Sequence, residues 1–121
     1  MFNLRREKNF IVCVFYIRLM LCLTFDEILN LMSNFPLASV AYCENKNSLT
    51  VFFEDASVEC FFNQDRSCYT CRLLPGFPKD ISFFTGLCNK YYRLLSTDCW
   101  QMESGSIEFV RDELTDYFVL T

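Results

Sequence analysis

Two short runs, Leu49 to Phe53 and Val58 to Phe62, alternate their apolar residues with a period of two. That is the strand repeat, in which successive side chains point to opposite faces. Joined by a two-residue loop at Asp55-Ala56, the runs set Phe53 opposite Val58 and Val51 opposite Cys60. Leu49, Val51, Phe53, Val58, Cys60 and Phe62 then share one face. A slip of one residue would turn that whole set to solvent, so the register is strongly specified. An antiparallel hairpin is therefore the element around which the chain must be arranged. Phe52 and Phe61 project from its other face. In this register Phe52 opposes Glu59 and lies diagonal to Phe61, close enough for the rings to meet. Two readings stay open for that pair: a contact patch for a partner, or a surface covered by the N-terminal segment.

Other elements follow from local signals. Thr24-Phe25-Asp26-Glu27 has the spacing of a capping box. Phe25, Ile28, Leu29 and Met32 continue at helical period until Pro36, which predicts a short amphipathic helix over 25–34. Leu37 to Tyr42 reads as a strand closed by the polar turn Glu44-Asn45-Lys46-Asn47, and Cys68 to Leu74 as another, ended by Pro75-Gly76-Phe77-Pro78. Asp80 is a good N-cap for a helix over 81–95. One stripe of that helix is Ile81, Phe84, Cys88, Tyr91 and Leu95; a second is Phe83, Leu87 and Leu94. Two apolar sides need two covers, and in a chain this small the second cover is a second copy. Cys99 to Met102 and Ile107 to Val110, turned at Ser104-Gly105, predict a second hairpin, and the tail from Asp112 to Thr121 reads as a strand or a last amphipathic helix, the helix preferred. The fold class is thus α+β: a twisted antiparallel sheet of five to six strands, a short N-terminal helix and one long helix packed on it.

Composition bounds what such a domain does. The 121 residues include 14 Phe, 6 Tyr and 8 Cys but no histidine. That removes Ser/His/Asp and Cys/His nucleophilic pairs, histidine metal sites and most neutral-pH proton shuttles. Hydrophobic residues make up 52% of the chain, more than a small core consumes, and the surplus points to an interface. Residues 1–19 carry Arg5, Arg6, Lys8 and Arg18 against Glu7 alone. The remainder holds seven basic and fourteen acidic side chains, a net −7 within the whole chain's −4. An acidic body is a poor nucleic-acid binder. Residues 1–19 stand apart from the single α+β domain over 20–121. Their basic, then apolar, pattern resembles the start of a signal peptide, but no small-residue cleavage site follows and Arg18 interrupts the run. A buried extra segment, a true start at Met20 and a membrane role are the three readings.

The cysteines mostly sit within apolar runs, as in Val12-Cys13-Val14, where a free thiol acts as a small buried hydrophobe. Reduced thiols in a cytoplasmic protein are the expectation. Cys68-Tyr69-Thr70-Cys71 is a lone CxxC. Inside a regular strand its cysteines point to opposite faces, which yields neither a dithiol nor a chelate, and a four-thiolate zinc site would need a second close pair. The acid pairs Glu54-Asp55 and Asp112-Glu113 fall in turn or helix-start contexts, where acids are ordinary caps. No catalytic residue, metal site or cofactor is expected.

The order of parts (helix, three or four antiparallel strands, a proline-containing loop, a long apolar helix, a hairpin, a short tail) resembles the class I type III secretion chaperones. The stretches that carry the likeness are Pro36-Leu37, Asn47-Ser48-Leu49-Thr50-Val51-Phe52-Phe53, Leu73-Leu74-Pro75-Gly76-Phe77-Pro78 and Gly105-Ser106-Ile107-Glu108-Phe109. The resemblance covers Phe25 to Val110. It implies a cytoplasmic homodimer without a cofactor that binds an extended segment of a secreted effector. Phe25, Ile28, Leu29, Phe52 and Phe61 would contact that partner, and Phe83, Leu87 and Leu94 would line the dimer interface. Residues 1–19 have no counterpart in that family, and its final helix would be unusually short here. A small acidic immunity-type protein that neutralises a toxin is the alternative function; it would be monomeric and bind through charge.

Overall fold

A computed structural model of the chain describes residues 4–33, 39–53, 56–76, 80–102, 105–111 and 115–121. The predicted turns at Asp55-Ala56 and Ser104-Gly105, the segments Pro36-Leu37 and Phe77-Pro78, and the acid pairs lie outside the described residues in whole or part.

Among the described residues, three helices and eight strands run in the order α1 (Leu4–Met20), α2 (Phe25–Ser33), β1 (Ser39–Cys43), β2 (Ser48–Phe52), β3 (Ala56–Phe62), β4 (Cys68–Pro75), α3 (Asp80–Tyr91), β5 (Arg93–Ser96), β6 (Cys99–Gln101), β7 (Ser106–Arg111) and β8 (Asp116–Leu120). The strands form one antiparallel sheet in the order β1-β2-β3-β4-β8-β7-β6-β5. It is built from two meanders, β1–β4 and β5–β8, connected through α3 and seamed where β4 meets β8. The class is α+β as expected, with eight strands rather than five or six and three helices rather than two.

All three helices cover the same face. Met20 of α1 reaches Cys60, the ring of Phe25 in α2 meets Phe62, and Phe84 of α3 meets Phe118. Leu49, Val51, Val58, Cys60, Leu73, Ile107, Phe118 and Leu120 are buried beneath them. The segment of uncertain standing is thus a helix. It contributes Phe10, Cys13, Val14, Ile17 and Met20 to the core and exposes Ile11, Phe15 and Leu19 on its other side. No described helix is long and apolar enough to cross a membrane.

The capping box forms as the spacing requires. The Thr24 amide donates to Glu27 Oε1 at 3.1 Å and the Glu27 amide to Thr24 Oγ1 at 3.3 Å. Three expectations are corrected. First, the hairpin register is two residues offset: Val51 faces Val58 and Leu49 faces Cys60, while the Phe53 amide donates to the Ala56 carbonyl. A shift of two preserves every side chain's face, which is why the core assignment survives it. Second, α3 ends at Tyr91, and Arg93–Ser96 form β5 against β6, turning through Asp98 in the left-handed region (φ 60°). The β6 strand needed a hairpin neighbour, and pairing outcompeted another helical turn. Third, the tail is the strand β8, not a helix. Its run Tyr117-Phe118-Val119-Leu120 has strong strand preference and fills the gap between β4 and β7, satisfying both edges at once.

Candidate functional site

The expected partner-binding residues separate in the structure. Ile28 is fully buried, so α2 directs it into the core and away from any partner. Leu29 is half-buried against the same core. Phe25 is half-buried too, with its ring 5.0 Å edge-on from Tyr42 in β1. Phe52 is 45% exposed, but it pairs with Ser57 while Phe61 pairs with Ser48. The two rings therefore sit at opposite ends of the hairpin rather than on a shared diagonal. The Arg72 guanidinium lies between two rings, 4.8 Å from the centroid of Phe61 and 4.8 Å from that of Tyr117. The face of Phe61 is thus occupied within the chain by a cation–π contact.

What the sequence missed is the edge itself. β1 is the first strand of the sheet and none of its five residues is fully buried. Val40 and Tyr42, in register with the buried Val51 and Leu49, point to the helix-covered side, yet stay 42% and 46% exposed. Together with Phe25 they make an apolar strip along an edge whose outer backbone groups pair with no strand among the described residues.

The residues expected on one dimerising side of the second helix do not share it. Leu87 is buried in the core, and Phe83 is half-buried with its ring 6.2 Å from Phe84. Leu94 lies on β5, the opposite edge of the sheet, where it and Leu95 are more than half exposed beside the exposed Tyr91. A strand of four residues, all of them exposed, ends the sheet there.

The CxxC behaves differently from a regular strand. Phe61 pairs with Thr70 and Phe62 with Cys68, so Tyr69 is an extra residue in β4. This β-bulge resets the alternation and brings Cys68 onto the same face as Cys71. Their sulfurs are 3.7 Å apart. Cys71 is directly paired with Cys60 across the strands, sulfur to sulfur 3.8 Å, and Met20 Sδ stands 3.9 Å from Cys60 Sγ. All three thiols are buried. The α1–α2 linker closes over them: the Cys22 amide donates to the Cys68 carbonyl and the Cys68 amide to the Leu23 carbonyl, each at 2.7 Å. Hydrogen bonding with Cys60, and then with Cys71, makes Cys68 much the most acidic of the three. The hydrogen bond with Cys68 pushes the Cys60 thiol up, and those with Cys60 and then Cys68 push the Cys71 thiol up. A bulge is invisible to a period-two reading. The only signal present was the cross-strand alignment of Cys60 with Cys71.

One buried carboxylate ties the helices together. Glu7 Oε1 in α1 accepts from Lys90 Nζ at 2.7 Å and from the Tyr91 hydroxyl. These bonds hold the Glu7 carboxyl below the ordinary range.

No protein-family model, no curated protein and no solved structure matches this chain.

Proposed function

We propose that this chain is a non-catalytic, cytoplasmic protein-binding module that holds an extended segment of a partner protein along the β1 edge. The observation that carries the reading is the strip formed by Val40, Tyr42 and Phe25 beside unpaired edge backbone. Strand addition draws affinity from main-chain hydrogen bonds and specificity from alternate side chains, and β1 offers both. The occupant is an extended apolar segment, because the side chains it would meet are aromatic and aliphatic. The eight free thiols suit a reducing compartment. The likeness in element order to secretion chaperones supports a secreted effector as the partner. The far edge, β5, suits a second copy. A two-fold axis pairs an edge strand antiparallel to itself, placing Leu94 opposite Leu95 of the other copy.

The test is recovery of the tagged full chain from its native host, followed by hydrogen exchange of the complex. A co-purifying segment that protects the amides of residues 39–43, and is lost in Tyr42→Asp, supports the reading. Protection confined to other strands, or recovery of the wild-type chain alone, refutes it.

A further inference from the structure

We propose that Cys60, Cys68 and Cys71 form a binding site for one thiophilic d10 metal ion, Zn2+ or Cu+, with the Met20 thioether at its open side. The geometry carries this. A metal bound to thiolate at about 2.3 Å holds its sulfurs about 3.8–4.0 Å apart in tetrahedral or trigonal arrangements. The sulfur separations are 3.7 Å for Cys68–Cys71 and 3.8 Å for Cys60–Cys71, and all three sulfurs lie within 4.8 Å of one another. Met20 Sδ, at 3.9 Å from Cys60, falls in the same range. Two of the three thiol pairs are therefore already at bonding spacing before an ion enters.

Three different segments converge to make it. Cys60 comes from β3, Cys68 and Cys71 from β4, and Met20 from the last residue of α1. In a regular strand Cys68 would face away from Cys71, so the bulge at Tyr69 supplies the third ligand. No such grouping surrounds Cys88, whose thiol is pushed up to about 12 by burial alone. At the cluster the sulfurs lie directly against one another. Binding a cation replaces the S–H protons, which pass to solvent, with a metal–sulfur bond for each thiolate formed. The donor set is sulfur throughout, which selects soft ions over magnesium, calcium or manganese. The two admitted ions differ in how they treat Met20. Thioether suits Cu+, whereas Zn2+ is bound by thiolate, imidazole or carboxylate.

The experiment uses the reduced, metal-free full chain under anaerobic conditions, titrated with Zn2+ or with Cu+ against a chromophoric chelator. One equivalent should bind, with a thiolate-to-metal absorption in the ultraviolet and protons released to the buffer. X-ray absorption of the loaded wild-type chain should show a sulfur-only shell with Cu+, and three sulfurs with one water oxygen with Zn2+. Cys68→Ser should lower the affinity at least 100-fold, while Cys13→Ser and Cys88→Ser leave it unchanged. Met20→Leu should weaken Cu+ binding and spare Zn2+, which tells the two ions apart. Absence of stoichiometric binding by either ion, fewer than three sulfurs in the shell, or equal loss in Cys13→Ser would each overturn the assignment. The wild-type absorption measurement stands even if Cys68→Ser fails to fold.

Discussion

Phe10 and Phe15 lie on one helix, five residues apart, and offer a matched pair of truncations. Phe10 is 2% exposed and meets Phe84 edge-on with centroids 5.1 Å apart; Phe15 is 54% exposed. Full burial of a phenylalanine side chain stabilises by roughly 1.5–3 kcal/mol through transfer from water. Truncation leaves a cavity as well, which takes Phe→Ala costs to about 3–5 kcal/mol. The lost ring pair with Phe84 falls within that range. We expect Phe10→Ala to cost about 3.5 kcal/mol and Phe15→Ala about 0.5 kcal/mol, the latter typical of a surface substitution. At roughly 4 °C per kcal/mol for a domain of this size, the first change lowers the melting temperature by about 14 °C and the second by about 2 °C. The chain has a single tryptophan, Trp100, which is buried, so its fluorescence reports guanidinium unfolding cleanly. The denaturant dependence should be the same for both variants, because neither changes the surface exposed on unfolding by much. Equal costs, within about 0.5 kcal/mol, would mean that α1 does not dock on the face described, and the reasoning would fall with it.

Three further outcomes follow from single sites. Gly105 has φ of 108°, and a Cβ there would lie 1.8 Å from the Thr121 carbonyl oxygen, so Gly105→Ala should cost about 2 kcal/mol in thermal unfolding; an unchanged midpoint would remove the close approach of the β6–β7 turn to residue 121. The Glu7 carboxyl is held below its ordinary 4.5 chiefly by the hydrogen bond from Lys90, and then by that from Tyr91. Its stabilising effect is therefore present above pH 4.5 and lost as pH falls through the lowered value. Wild type should exceed Glu7→Gln in stability at neutral pH, and the gap should close on acidification below pH 4.5; a gap independent of pH would contradict the network. Leu94→Asp should leave unfolding within about 0.5 kcal/mol of wild type while converting a dimer to a monomer by light scattering; a dimer that survives the charge would move the contact away from β5.

Sequence reasoning located the first hairpin, the α2 cap and the second hairpin because each rests on a local rule. Alternation fixed the inner face of Leu49, Val51, Val58 and Cys60 even though the turn was misplaced, since a two-residue slip preserves side-chain direction. The errors share another cause. Leu94 and Leu95 fit a helical stripe as well as a strand, and only the nearby Cys99–Gln101 strand decided between them. Tyr117 to Leu120 became a strand because two partner edges stood ready, which no window around residue 117 contains. The dismissal of Cys68 and Cys71 assumed a regular strand, and the bulge at Tyr69 broke that assumption. The exposure of Val40 and Tyr42 arises because β1 stands at an edge of the sheet, which no local window contains.

The place of β8 also sets an order of events. In a chain emerging from the ribosome, β1–β4 can pair as a meander early, and β5–β7 can follow around their own short turns. Until residues 116–120 appear, β4 and β7 both wait as open edges, with Leu73 and Phe109 lacking the Phe118 that pairs with each. The last of the eight described strands to be made is thus the seam that turns two half-sheets into one, a non-local closure of the kind that folds slowly and exposes edges meanwhile. Mutations in β8 should therefore act on folding yield during synthesis more than their share of the finished core would suggest.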